Sequence, residues 1–205
     1  MKIKVCGMKE PENIRRLAQL PVDFMGLIFY PKSPRYAGEL PPEALSVLPE
    51  RIKKVGVFVN EQAETVLACM EKYTLDYVQL HGDESVETCK LIREKYPVIK
   101  AFSIYDEADL GKTANYQDAC DYVLFDTKTP QYGGSGQKFD WKILDAYTGR
   151  LPFFLSGGIS PEDAEQLKTI HHPLLYAVDL NSKFETVPGM KDTGMLERFL
   201  ADCFR

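Results

Sequence analysis

Residues 152–163 read PFFLSGGISPED, and this stretch decides the fold. Three apolar residues of strand type, 153–155, come first, and a glycine pair, Gly157 and Gly158, follows them. A helix then begins, with Ser160 as its N-cap and a proline at its first position. Glycines lack a Cβ atom, so their backbone N–H groups can approach and bind an anion. The stretch therefore predicts an anion site, although a tight strand-to-helix turn alone would look the same.

A second strand end follows close behind. The apolar run 174–178 is followed by Asp179, and Asn181 and Ser182 come directly afterwards. Many (β/α)₈ barrels bind phosphate with the loops that follow strands 7 and 8. We therefore expect both glycines of the first turn, together with Asn181 and Ser182, to bind a phosphate group, and Asp179 to orient the second loop.

Eight short apolar runs are spread along the chain. They are residues 3–5, 24–29, 54–59, 77–80, 98–104, 122–125, 153–155 and 174–178. Segments with helical spacing lie between most of them, and the weakest, 106–115, contains a glycine. Strands that alternate with helices indicate parallel βαβ units. We predict a single domain over residues 1–205, an α/β fold of the (β/α)₈ TIM-barrel type with eight parallel strands and surrounding helices.

The composition excludes several classes of function. A net charge of −5 argues against nucleic-acid binding, and no apolar run is long enough to span a membrane. The first residues lack the pattern of a signal peptide, and the five widely spaced cysteines suggest neither a disulfide framework nor a zinc cluster. Only three histidines occur, and no group has metal-ligand spacing. We expect a cytoplasmic protein without a metal.

Four polar residues stand at the ends of the apolar runs or in the loops after them. Cys6 is either a reactive thiol or a small buried side chain, and His81 either binds a ligand or forms a hydrogen bond at the barrel mouth. Asp126 follows an apolar run, where burying its charge would be costly, so a chemical role is favoured over a cap or loop anchor. Arg35 is either a solvated loop residue or a fork for a carboxylate.

These motifs, taken together, resemble the phosphoribosylanthranilate isomerase family of tryptophan biosynthesis. The resemblance runs nearly from end to end. Its motifs are KVCG at 4–7, GLIF at 26–29, SPR at 33–35, VGVFVN at 55–60, VQLHG at 78–82, Asp126, GGSG at 133–136, FDW at 139–141, SGGI at 156–159, DLNS at 179–182, Glu185, and PG and KD within 188–192.

The resemblance implies an Amadori rearrangement without a cofactor. The substrate would be N-(5-phosphoribosyl)anthranilate and the product 1-(2-carboxyphenylamino)-1-deoxyribulose 5-phosphate. It assigns the general base to Cys6, the general acid to Asp126, and contact with the anthranilate carboxylate to Arg35. Because a free thiol is mostly protonated at neutral pH, we expect the barrel mouth to favour the Cys6 thiolate.

The sequence departs from the family pattern after Ser182. Lys183 and Phe184 stand where the family usually has glycine and a small aliphatic residue, so the lysine either adds charge to the phosphate site or points into solvent. Three alternative functions stay open. One is the related histidine-pathway isomerase, although that family has aspartate at the end of strand 1. The others are a metal-dependent sugar-phosphate epimerase and a non-catalytic phosphate-binding barrel. The sequence is compatible with a monomer or a homodimer. We expect the glycine-containing loop at 127–138 to act as the lid.

Overall fold

Eight parallel strands close into a barrel in the computed structural model, which describes residues 1–127 and 140–203. The strands are β1 (Lys2–Cys6), β2 (Phe24–Ile28), β3 (Lys53–Phe58), β4 (Tyr77–Leu80), β5 (Val98–Ile104), β6 (Tyr122–Thr127), β7 (Phe153–Leu155) and β8 (Leu175–Leu180). Each strand pairs with the next along the chain, and β8 pairs in parallel with β1. The predicted (β/α)₈ barrel is confirmed, although β6 and β8 each extend two residues beyond the predicted run.

Six α-helices are present in the described part of the chain. They are α1 (Pro11–Leu17), α2 (Ala63–Tyr73), α3 (Val86–Arg93), α4 (Glu107–Leu110), α5 (Ala164–Lys168) and α6 (Thr193–Cys203). Short 3₁₀ helices lie at Pro42–Leu45, between β2 and β3, and at Trp141–Ala146, before β7. The weak helix predicted at 106–115 is one turn of α-helix followed by a 3₁₀ helix, Gly111–Tyr116. None of the described helices is long and apolar enough to cross a membrane.

Side chains of the strands alternate between the helices and the barrel interior. The interior is packed by buried Phe24, Val55, Ile99, Ala101, Leu124, Phe154 and Ala177. Polar or small residues follow two positions later on several of these strands, and these are Gly26, Asp126, Ser156 and Asp179. The alternation therefore directs these positions into the barrel, above the apolar plug and at the carboxyl ends of the strands.

A small hairpin that was not predicted follows β8. It consists of β9 (Glu185–Val187) and β10 (Met190–Lys191), which pair antiparallel. The amide of Asn13 joins it to α1, since Nδ2 donates to the Lys191 carbonyl at 2.9 Å and Oδ1 accepts from the Lys191 N–H at 2.8 Å. These two bonds hold the hairpin beside the mouth of the barrel. Of the lid proposed at 127–138, all but the first residue lies outside the described residues.

Candidate active site

A cavity of about 640 Å³ opens at the carboxyl ends of the strands. All nine residues proposed from the sequence line it: Cys6, Arg35, His81, Asp126, Gly157, Gly158, Asp179, Asn181 and Ser182. They come from six different strand ends and the loops that follow them. The barrel thus brings together residues up to 176 positions apart into one concave site.

The thiol of Cys6 lies at the end of β1 and packs against the backbone of Gly26 on β2. A Cβ atom added at Gly26 would lie 2.6 Å from the Cys6 sulfur, so only glycine leaves room for this side chain. Cys6 is 4% exposed and lines the cavity. It is therefore buried and also faces the site.

The expectation that the barrel mouth favours the Cys6 thiolate is wrong for this arrangement. Burial raises the pKa of the Cys6 thiol, and the charges of Lys4 and Lys191 only partly offset this effect, while Asp179 adds to it. The expectation assumed an open mouth, whereas the thiol is nearly enclosed. The two lysines are the groups that counteract burial.

Lys4 and Asp179 form a buried ion pair beneath the thiol. The ammonium Nζ of Lys4 lies 2.7 Å from Oδ2 of Asp179, and the side chains are 0% and 4% exposed. Burial raises the pKa of Asp179 despite the nearby Lys4 charge. The sequence prediction that Asp179 orients the phosphate loop did not include this pair.

Asp126 is held by groups from the ends of two strands, β4 and β6. Its Oδ2 lies 3.1 Å from Nε2 of His81, and its Oδ1 accepts the Thr127 N–H at 2.9 Å. The Nδ1 atom of His81 lies 2.8 Å from Nε2 of Gln79, which is an amide donor. Nδ1 therefore accepts, and Nε2 of His81 carries the proton that it donates to Asp126. His81 thus forms the hydrogen bond at the barrel mouth that the sequence analysis gave as an alternative to ligand binding. It also lines the cavity.

The turn after β7 has a left-handed backbone at both of its glycines. Gly157 and Gly158 have φ values of +93° and +68°, a region that favours glycine. A Cβ atom at Gly157 would also lie 2.6 Å from the Thr127 backbone nitrogen. Ser160 precedes the 3₁₀ helix Pro161–Asp163, and the Asp163 carboxylate accepts from its N–H at 2.7 Å and its hydroxyl at 2.9 Å. The turn is thus tightly fixed, and its backbone faces the cavity.

The loop after β8 forms the neighbouring wall. Ser182 begins a 3₁₀ helix, Ser182–Phe184, and Oδ1 of Asn181 accepts from Nζ of Lys191 at 2.8 Å. Lys183 is exposed, whereas Phe184 is fully buried and its ring lies 4.9 Å from the ring of Phe199 on α6. The departure from the family pattern thus fills the core with an aromatic ring and leaves the added charge in solvent.

Arg35 is not a solvated loop residue. Its Nη2 donates to Oε2 of Glu185 at 2.8 Å, its Nε lies 3.0 Å from both carboxylate oxygens, and its side chain is only 12% exposed. Lys191 also binds Oε1 of Glu185. Burial works against ionisation of Glu185, but the hydrogen bonds and charges of the two cations outweigh it and lower its pKa. Two cations around one carboxylate leave a net positive charge at this edge of the cavity.

Sequence reasoning missed several residues of the site. They are Lys4, Gln79, Glu185 and Lys191, all of which appeared in the quoted motifs without a role. The sequence did contain a signal for Lys4, because it is a charged residue inside the apolar run 3–5. Among residues 1–127 and 140–203, no group of His, Cys, Asp or Glu is arranged to hold a metal ion.

Comparison with known proteins identifies the family. Residues 3–202 match the family described as N-(5'phosphoribosyl)anthranilate (PRA) isomerase. The N-(5'-phosphoribosyl)anthranilate isomerase of Parabacteroides distasonis is 48% identical over 98% of this chain and 92% of its own length.

Two solved structures of phosphoribosylanthranilate isomerases have a similar fold. Monomers made from the dimeric Thermotoga maritima enzyme have a TM-score of 0.86 and 34% identity, with 100% of this chain and 98% of that chain covered. A phosphoribosyl anthranilate isomerase in complex with reduced 1-(o-carboxyphenylamino)-1-deoxyribulose 5-phosphate has a TM-score of 0.85 and 33% identity, with the same coverage. The extent of these matches excludes the histidine-pathway alternative, and the chain, an isomerase, belongs to the N-(5'-phosphoribosyl)anthranilate isomerase family.

Proposed function

We propose that this chain converts N-(5-phosphoribosyl)anthranilate into 1-(2-carboxyphenylamino)-1-deoxyribulose 5-phosphate in tryptophan biosynthesis. The observation that carries the assignment of roles is that Cys6 at the end of β1 and Asp126 on β6 line one cavity. Glycine-containing and polar loops after β7 and β8 flank them. An acid and a base beside a phosphate site suit an isomerisation of a sugar phosphate.

In the first step, Asp126 acts as the general acid. Its carboxyl group donates a proton to the ring oxygen of the ribose, the C1′–O bond breaks, and the anthranilate nitrogen supplies the electron pair that forms a C1′=N bond. The hydrogen bond from His81 keeps the carboxyl group directed at the cavity. The product of this step is an open-chain Schiff base.

In the second step, Cys6 acts as the general base. Its thiolate removes the proton from C2′, and the electrons of that C–H bond form C1′=C2′ while the C=N electrons return to nitrogen. The resulting enolamine loses the proton of its C2′ hydroxyl and gains one at C1′, which gives the ketone. Atoms and electrons balance within the substrate, so this scheme calls for no redox partner.

The two ends of the substrate bind in different parts of the cavity. The backbone of Gly157 and Gly158, with Asn181 and Ser182, binds the phosphate group. Arg35 binds the anthranilate carboxylate with Nη1, since its pair with Glu185 uses Nε and Nη2. A solved relative of this kind was crystallised with a reduced analogue that carries both a phosphate and a carboxyphenyl group.

We further propose a cytoplasmic protein in which residues 1–205 form a single barrel domain. The chain is a monomer or a homodimer, and the Thermotoga maritima relative is described as dimeric. Sedimentation of the purified protein distinguishes these two states.

Turnover of phosphoribosylanthranilate, followed by loss of anthranilate-type fluorescence, tests the function. We expect activity in the wild type and a loss of at least about 100-fold in Cys6→Ala and in Asp126→Ala. Cys69→Ala, which removes a cysteine on α2, is the matched control and should retain full activity. A wild type that binds the substrate without converting it would favour the non-catalytic phosphate-binding barrel. Full activity in either site variant would contradict the role proposed for that residue.

A further inference from the structure

Lys4 occupies an unusual position for a charged side chain. It lies in the middle of β1, is 0% exposed, and stands directly opposite Asp179 in the register of β1 with β8. Lysine is almost never fully buried unless it is paired. Nζ of Lys4 donates to Oδ2 of Asp179 at 2.7 Å, so the pair spans the seam that closes the barrel.

The Lys4 ammonium group is also next to the thiol of Cys6. Residues at i and i+2 of a strand point to the same side, so Cys6 follows Lys4 on the interior face of β1. Both side chains are buried, and the Lys4 charge lowers the pKa of the Cys6 thiol against the effect of burial. One ammonium group therefore serves both a carboxylate and the proposed base.

Other charged groups surround this pair. Lys191 of β10 acts on Cys6 from the hairpin side, and Asp126 and His81 act on Asp179 from across the barrel. Oδ1 of Asp179 is buried and has no hydrogen-bond partner among the described residues. Lys4 is nevertheless the cation with the largest effect on the thiol.

Stability alone is a poor reason for such a pair. Removing two charges from water costs about as much as their attraction returns, and apolar side chains of similar volume often stabilise a core equally well. The barrel interior immediately below is apolar, with Phe24 opposite Lys4 in the register of β1 with β2. The position of the pair beside the thiol indicates a chemical use for it.

We propose that Lys4 is a positioning residue whose ammonium group supplies the counter-charge for the Cys6 thiolate, while Asp179 holds that ammonium group in place. This inference rests on the proposed function in that Cys6 is the base. Lys4 stays protonated throughout and transfers no proton. When the thiol loses its proton to solvent, the ammonium group stabilises the anion in a site where burial opposes it.

Titration of the Cys6 thiol tests the proposal without reference to turnover. The rate of alkylation by iodoacetamide is measured from pH 6 to pH 10, with the peptide that contains Cys6 resolved by mass spectrometry. Replacing Lys4 with methionine removes the charge and keeps an unbranched side chain. We expect Lys4→Met to shift the titration of Cys6 upward by about one pH unit or more, which is about a tenfold slower reaction at neutral pH.

A double variant and a matched control separate the loss of the Lys4 charge from any effect of misfolding. In Lys4→Met with Asp179→Asn no unpaired carboxylate remains, and the thiol should still react more slowly than in the wild type. Lys100 on β5 is the control because it is also buried and paired, with Nζ 3.2 Å from Oε2 of Glu84, yet it is not among the main charges that act on Cys6. Lys100→Met should leave the titration of Cys6 unchanged.

Each outcome separates this proposal from the proposed function. A titration of Cys6 in folded Lys4→Met, or in the double variant, that matches the wild type overturns the proposal, whatever the turnover. In Lys4→Met, a shifted titration of Cys6 together with an equal shift in the acidic limb of the pH profile of kcat/KM supports both the role of Lys4 and the role of Cys6 as the base. A shifted titration with an unshifted turnover profile supports the role of Lys4 beside the thiol and contradicts Cys6 as the base.

Discussion

Nε2 of His81 lies 3.1 Å from Oδ2 of Asp126, and the amide of Gln79 fixes which ring nitrogen carries the proton. Because this hydrogen bond directs the carboxyl group at the cavity, we predict that His81→Ala lowers kcat by about 100-fold and changes KM little. Steady-state kinetics with the purified variant measure both constants. Loss of affinity at unchanged kcat would contradict a role through Asp126.

The control for this prediction is another partly buried histidine. His172 packs its ring against Phe153, with the centroids 5.0 Å apart, and its Nδ1 accepts from the Leu174 N–H at 3.1 Å. It does not line the cavity. His172→Ala should therefore lower the free energy of unfolding and leave kcat unchanged.

Gly26 leaves the space that the Cys6 sulfur occupies. A Cβ atom there would lie 2.6 Å from the sulfur, so Gly26→Ala should displace the thiol and lower kcat by about 100-fold. Gly111 is the matched control because a Cβ atom there meets nothing within 4 Å and the backbone is already right-handed, with φ of −61°. Gly111→Ala should keep kcat and raise the free energy of unfolding by about 0.4–1 kcal/mol. Equal kinetics in the two variants would refute the steric argument.

Phe184 contributes stability through its contact with α6. Its ring is fully buried and lies 4.9 Å from the ring of Phe199, so Phe184→Ala should cost about 3–5 kcal/mol of unfolding free energy. Its neighbour Lys183 is exposed, and Lys183→Ala should change that free energy by less than about 0.5 kcal/mol. Urea unfolding measures both values. Similar losses in the two variants would count against the packing argument.

Glu185 makes the stability of the protein depend on pH. Its pKa is lowered in the folded state, so its contribution is present above the unfolded value of about 4.3 and is lost as the pH falls through the folded value. The difference in unfolding free energy between the wild type and Glu185→Gln should therefore be larger at pH 7 than at pH 3.

An exposed ion pair supplies the comparison for Glu185. Oε2 of Glu12 lies 3.3 Å from Arg15, but both side chains are more than half exposed, so the pair contributes little. Glu12→Gln should differ little from the wild type at either pH. A pH-independent difference for Glu185→Gln would show that its charge does not stabilise the hairpin.

Local signals in the sequence predicted the barrel and the surroundings of its cavity. Short apolar runs and the Gly157-Gly158 turn are properties of neighbouring residues, so no tertiary information was needed to find them. The nine proposed residues line one cavity because parallel strands put their carboxyl ends at one face of a barrel. Their individual roles stay predictions until the variants are measured.

The charges under the site could not be predicted from neighbouring residues. Lys4 and Asp179 are 175 positions apart, and their contact depends on the register in which β8 returns to β1. The environment of Cys6 was wrongly predicted for a related reason, since the thiol packs against Gly26 of the neighbouring strand and is 4% exposed. Burial of a side chain is a tertiary property, and its effect on the thiol exceeded that of the nearby cations.

The pairing of β1 with β8 has a consequence for the synthesis of this protein. Cys6 is synthesised well before Asp179, which lies 175 positions after Lys4 and forms an ion pair with its ammonium group. A nascent chain that has not yet released β8 carries a lysine and a thiol without the strand that encloses them. The surroundings proposed for the thiol therefore form only when β1 and β8 pair, and we expect a polypeptide interrupted before β8 to be inactive however much of the barrel it contains.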